Sequence, residues 1–244
     1  MDLGKNMLNC YYMNVNCDCS KEQSLALYES LSSDRRKKVD TLKNEKIAGK
    51  QIIIGSFLQY CLSPYINVPP SQIEFEYSEQ GKPYIKSDIN FNMSHSGDYV
   101  VLAVSDDPVG VDIERLRHGR LLVAKRFFCE EEYTEILKYS DENEQDKCFL
   151  EYWTMKEAYV KYLGKGLSVL FDTFMISRDT GEGMPLKVFV KEHTSRERAD
   201  GWKEDKTAAM YTYYLNKNYH MAICCNREQC FTNNLKEIYL SELL

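Results

Sequence analysis

Three segments carry side chains whose types and spacing suit chemistry. Gly110-Val111-Asp112-Ile113-Glu114 has the character of a strand, so Asp112 and Glu114 share one face and Val111 and Ile113 the other. Two unit charges roughly 4 Å apart repel by about 4 kcal/mol at an effective dielectric near 20, and a divalent cation between the carboxylates would remove that repulsion. Taken alone, these five residues fit a solvated acidic strand face equally well. In Trp153-Thr154-Met155-Lys156-Glu157-Ala158-Tyr159-Val160-Lys161-Tyr162-Leu163-Gly164-Lys165-Gly166-Leu167, Glu157 and Lys161 stand at i and i+4 of a helix. Such a pair is common on helix surfaces and contributes only about 0.3–0.5 kcal/mol. Its aromatic neighbours and the Gly-Lys-Gly end, which lets a ligand approach the backbone, point beyond a solvent face. In Phe91-Asn92-Met93-Ser94-His95-Ser96-Gly97, adjacent side chains on extended backbone point apart, so Ser94 and His95 cannot form a nucleophile–base pair. A histidine flanked by hydroxyls and glycine suits a phosphate, and a structural histidine equally.

Composition narrows the chemistry. The chain has 244 residues, 43% hydrophobic and 28% charged, with only 12 Gly and 6 Pro, which excludes fibrous and disordered classes. The formal charge of −6 argues against nucleic acid as a partner. No apolar run approaches the roughly 18–20 residues of a membrane span. The polar start, Met1-Asp2-Leu3-Gly4, lacks a secretory signal, so a cytoplasmic location is expected. The 9 cysteines are odd in number and lack C-x-x-C spacing, which reads as reduced, mostly buried thiols. None of the 4 histidines has metal-pair spacing, so carboxylates would have to hold any metal, which selects Mg²⁺ or Mn²⁺. One stretch is strongly basic in this acidic chain: Arg35-Arg36-Lys37-Lys38, then Lys43, Lys46 and Lys50.

The elements that must position these residues follow from pattern. A strand is expected over Leu8–Val15, then a helix with capping-box spacing from Ser20 to Leu31. Helices follow from Asp34 and from Asn44 to Leu62, the latter stopped before Pro64. Strands are expected at Ile73–Tyr77, Tyr84–Lys86, Phe91–Met93, Tyr99–Ser105 and Val109–Glu114. Helices come next at Leu121–Phe128, Glu130–Tyr139 and Asn143–Leu163, the last closed by Gly164. Strands at Thr173–Ser177, Leu186–Val190, Ala208–Leu215 and His220–Cys224 complete an α+β chain with two similarly built lobes, each of helices followed by a small antiparallel sheet.

The order and spacing of Gly81-Lys82-Pro83, Phe91-Asn92-Met93-Ser94-His95-Ser96-Gly97, Pro108-Val109-Gly110-Val111-Asp112-Ile113-Glu114, Arg126-Phe127-Phe128 with Glu132, and Trp153-Thr154-Met155-Lys156-Glu157-Ala158 with Lys161 closely resemble the Sfp-type 4′-phosphopantetheinyl transferases over residues 32–175. The resemblance implies two pseudosymmetric lobes, 1–114 and 115–244, in a monomer, with the active site in the cleft between them. It implies Mg²⁺-dependent transfer of phosphopantetheine from coenzyme A to a serine of an apo acyl- or peptidyl-carrier protein, with release of 3′,5′-ADP. By position, Asp112, Glu114 and Glu157 match the metal carboxylates, Glu157 also the proton acceptor, and Lys161 the lysine at the diphosphate. Arg35, Lys38 and His95 match groups around the 3′-phosphate, Ser94 a phosphate-contacting serine, and Lys82 with Pro83 the adenine-side loop. Where the family usually has His-Arg, this chain has Gly49-Lys50; Lys50 keeps the charge but not a two-pronged donor.

Carriers of this kind are acidic and present their serine at the start of an apolar-faced helix. The segment from Arg115 to Arg126, with Arg115 and Arg117 flanking Leu121 and Leu122, is a complementary basic rim around an apolar centre. Two other readings use the same residues: a metal-dependent phosphoesterase, and a non-catalytic module that binds coenzyme A or carrier. The intact set of Asp112, Glu114, Glu157 and Lys161 argues against the second.

Overall fold

In the computed structural model, residues 7–78, 81–178, 185–191, 201–227 and 235–244 are described. The chain divides into two units, Met1–Asp107 with Phe231–Leu244, and Pro108–Cys230.

In the first unit, β1 (Leu8–Asn14) leads to α1 (Lys21–Ser30), whose capping box is formed: Ser20 Oγ accepts from Gln23 N–H and Gln23 reaches back to Ser20 N–H. Next come α2 (Ser33–Asp40) and α3 (Glu45–Ile66). The expected stop before Pro64 is overturned, because α3 runs through it. Pro64 lies in the last turn, where its missing N–H gives up one helical hydrogen bond, to the carbonyl of Tyr60, and the left-handed Asn67 (φ 53°) ends the helix instead. Ile52, Ile53, Phe57, Leu58, Cys61 and Leu62 bury α3 in the unit's core, each large side chain contributing about 1.5–3 kcal/mol.

A short hairpin, β2 (Glu76–Tyr77) and β3 (Pro83–Tyr84), precedes β4 (Asn90–Ser96) and β5 (Tyr99–Ser105). The larger sheet has the order β12-β1-β5-β4, with β12 (Leu235–Glu237) parallel to β1 and the other pairs antiparallel. The terminal helix is α7 (Leu240–Leu243).

The second unit begins with β6 (Val109–Arg115), followed by α4 (Leu121–Phe127), α5 (Glu130–Leu137) and α6 (Glu142–Leu163). A division at 114/115 does not match these units. β6 pairs antiparallel with β11 (Tyr219–Asn226), which pairs in turn with β10 (Ala208–Asn216), while the chain's end returns to β1. A second antiparallel sheet joins β7 (Phe174–Ser177), β8 (Lys187–Lys191) and β9 (Trp202–Glu204).

Asp141 accepts from Asn143 N–H and Glu144 N–H to start α6, and Gly164 at φ 65° ends it. The α+β expectation holds. Among the described residues, no helix is long and apolar enough to cross a membrane. The described cysteines are free thiols, most of them buried.

Candidate active site

In the second unit, β6 lies directly against α6. A β-carbon at Gly110 would stand 2.0 Å from the carbonyl oxygen of Ala158 and 2.4 Å from the Tyr162 nitrogen, so only glycine permits this approach. Two residues along β6, Asp112 is buried, and its Oδ1 lies 2.6 Å from Lys161 Nζ on the next turn of α6. Lys161 Nζ also donates to the Val111 carbonyl at 3.3 Å. Glu114 is half-buried on the same strand face as Asp112. Glu157 sits one turn before Lys161. Burial, then the Asp112 carboxylate, raise its pKa; Lys161 opposes the rise and Glu114 adds to it. The three acids and one lysine therefore form one electrostatic group with negative charge in surplus.

That donor set is all oxygen and half-enclosed, which fits a hard divalent cation. Among the described residues, no three His, Cys, Asp or Glu groups are already gathered as ligands, and the Lys161 ammonium is what touches Asp112 here.

Behind the acids, Lys156 is fully buried with Glu132 at 2.8 Å. Lys156 Nζ donates to the carbonyls of Phe171 and Phe174 and lies 4.1 Å from the Phe174 ring centroid. Glu132 accepts from Ile176 N–H. Every charge in this pair has partners, as a buried ion pair requires, and it ties α5 and β7 to the turn of α6 that bears Glu157.

Glu114 also borders a concavity of about 160 Å³ with Arg115, Arg117 and Arg120 at its rim and Phe149 and Trp153 in its wall. Leu122 is 79% exposed, whereas Leu121 is half-buried against the core. The expected docking segment thus splits: Leu121 belongs to packing and Leu122 to the surface. Arg120 belongs to that same segment, and Phe149 joins Trp153 in the wall as an i, i+4 aromatic pair on α6.

In the first unit, Ser94 is half-buried and His95 exposed on β4. Lys50 reaches the turn just after them, donating to Gly97 O at 3.0 Å and to Asp98 Oδ1 at 3.1 Å. Arg35 is buried on α2, its guanidinium 4.9 Å from the Phe75 ring centroid, and burial lowers its pKa. Lys38, one turn on, is exposed. Lys82 and Pro83 close the β2–β3 hairpin, where Gly81 takes φ 77° and Lys82 N–H donates to Ser78 Oγ. So the fold brings Lys50 to the His95 turn, while much of Arg35's length packs inside the unit.

Comparison with known proteins places the chain among its relatives. Residues 108–224 match the model of the 4′-phosphopantetheinyl transferase superfamily, and residues 17–107 that of the N-terminal part of a 4′-phosphopantetheinyl transferase. A 4′-phosphopantetheinyl transferase of Bacillus subtilis is 32% identical over 80% of this chain and 82% of its own length. The 4′-phosphopantetheinyl transferase gsp of Aneurinibacillus migulanus is 32% identical over 76% of this chain and 78% of its own. The 4′-phosphopantetheinyl transferase Sfp of Bacillus subtilis (strain 168) is 28% identical over 97% of this chain and all of its own.

Proposed function

The chain belongs to the 4′-phosphopantetheinyl transferase superfamily, and from that premise we propose how its own residues divide the work. The enzyme transfers 4′-phosphopantetheine from coenzyme A to a serine of an apo acyl- or peptidyl-carrier protein and releases 3′,5′-ADP. The observation that carries the assignment of roles is the close seating of β6 on α6, which brings Asp112 to Lys161 at 2.6 Å.

Asp112, Glu114 and Glu157 would hold Mg²⁺ or Mn²⁺, whose contribution when bound is to offset the charge of the diphosphate. Glu157, with its raised pKa, accepts the proton of the carrier serine, directly or through a water. The serine oxygen bonds to the β-phosphorus as the bond from that phosphorus to the bridging oxygen breaks, and the electron pair leaves on the α-phosphate of 3′,5′-ADP. Lys161 donates to that departing phosphate. In the first unit His95, Ser94 and Lys38 serve the 3′-phosphate, with Arg35 and Lys50 behind them, and Lys82 and Pro83 serve the adenine side. Arg115, Arg117 and Leu122 receive the carrier, and the protein acts as a monomer in the cytoplasm.

Incubation with coenzyme A, Mg²⁺ and an apo carrier, read by mass spectrometry, tests the assignment. The expected result is a carrier heavier by one phosphopantetheine with equimolar 3′,5′-ADP. Cleavage of coenzyme A without carrier would instead favour a phosphoesterase, and unchanged carrier and coenzyme A a binding module.

A further inference from the structure

The loop between β6 and α4 carries Arg115, Arg117 and Arg120, and it is fastened at two points. Leu116 N–H donates to Asn218 O at 2.7 Å. Farther along, one carboxylate gathers the turn: Asp146 of α6 accepts from Gly119 N–H at 3.1 Å, from Arg120 N–H at 3.3 Å and faces His118 Nδ1 at 3.0 Å. Asp146 is only 6% exposed. Gly119 adopts φ 75°, a left-handed conformation that aims successive N–H groups at one acceptor. On α6, Asp146, Phe149 and Trp153 share a face at i, i+3 and i+7, so the helix that walls the concavity also anchors its arginine rim.

We infer that Asp146 is a positioning residue for carrier docking, holding the loop so that Arg115, Arg117 and Arg120 stand around Phe149 and Trp153. The inference rests on the reading that this basic face receives the carrier. Charge alone makes the opposite prediction. Removing an acid from a basic face strengthens attraction for an acidic carrier, whereas releasing the loop weakens it.

Steady-state transfer by the full-length protein, with coenzyme A and apo carrier varied in turn, separates these effects. Asp146→Ala should raise the carrier KM about tenfold. The kcat at saturating carrier and the coenzyme A KM should stay within roughly twofold, since this acid touches neither the reacting groups nor coenzyme A. Asp146→Asn should recover most of the loss, because its carbonyl oxygen still accepts from Gly119 and Arg120. Asp146→Glu keeps the charge but misplaces it, and should raise the carrier KM. It serves also if the alanine variant does not fold. Combined with Arg117→Glu, Asp146→Ala should add less than it does alone, since both act through one loop.

An unchanged or lowered carrier KM in Asp146→Ala and Asp146→Glu overturns the inference. So does a fall in kcat, coenzyme A affinity and melting temperature together, which marks a general structural role. If Arg117→Glu alone leaves the carrier KM unaltered, the docking reading itself fails. If Arg117→Glu acts and the Asp146 variants do not, only the inference about Asp146 fails.

Discussion

Gly110 and Ala158 touch backbone to backbone: a β-carbon on Gly110 would sit 2.0 Å from the Ala158 carbonyl oxygen. The obstacle is helix backbone, which cannot swing aside as a side chain could, so Gly110→Ala must separate β6 from α6. That movement carries Asp112 away from Lys161 and Glu114 away from Glu157. We expect a stability loss of about 1–3 kcal/mol or more and loss of transfer, measured by thermal melting and by carrier mass. Gly49 is the control. It lies in α3 with none of the described residues within 4 Å of an added β-carbon, and Gly49→Ala should stabilise by up to about 1 kcal/mol with transfer unaltered.

Asp112→Ala and Glu157→Ala should each lower the transfer rate by about 10² to 10⁴. A chelator should silence the wild type, and added Mg²⁺ should restore it. Circular dichroism should show the fold retained, because neither acid fills an apolar core. Near wild-type turnover by either variant with Mg²⁺ present would remove these residues from the site.

The 3′-phosphate assignment is tested by comparing coenzyme A with its 3′-dephospho form. Arg35 is a poor choice for truncation, since its buried stem and its stacking on Phe75 make Arg35→Ala a packing change too. Lys38→Ala/His95→Ala is the cleaner variant, because both residues are exposed. Wild type should bind 3′-dephospho-coenzyme A more weakly by calorimetry, and the double variant should lose most of that preference. Equal preference in both proteins would return Lys38 to a solvated helix face and His95 to a structural role.

Much of this site was legible in order and spacing. The period-2 alternation of β6 put Asp112 and Glu114 on one face, and the i, i+4 spacing put Glu157 beside Lys161. Capping chemistry marked the start of α1 at Ser20 and the end of α6 at Gly164. What escaped was non-local. β12 is three residues long, too short for any period, and exists because β1 offers it an edge. Lys156 reads as one more polar helix residue; its complete burial depends on Glu132 and two carbonyls from distant elements. Asp146 likewise looks like a surface acid near a helix start, until Gly119 folds back onto it.

Charge reversal tests the docking face. Arg115→Glu or Arg117→Glu should raise the carrier KM while coenzyme A affinity stays nearly constant, since neither side chain is assigned to the nucleotide. Added salt should weaken the wild-type complex with the carrier, because exposed charges are screened over about 8–10 Å at 0.1–0.15 M. Parallel changes in coenzyme A affinity would place these arginines elsewhere.

His220 sets a pH limit on stability. It lies opposite Glu114 on β11, 2% exposed, with its ring edge-on to Tyr214 at 4.9 Å and, among the described residues, no hydrogen-bond partner for Nδ1. Burial, and then the positive charge of Arg178, pull its pKa down to about 3. In the unfolded chain the imidazole returns to about 6.5. Between these values the unfolded state binds the extra proton, so stability rises with pH. The contribution of a neutral His220 is therefore complete above about pH 6.5 and is lost as pH falls towards 3, by up to about 1.4 kcal/mol per pH unit. His220→Phe keeps an aromatic edge for Tyr214 and removes the titration. Denaturant melts from pH 7 down to pH 5, above most carboxylate titration, should show wild type losing stability more steeply than His220→Phe. Parallel curves would mean that the buried imidazole finds a way to hold its proton in the folded state.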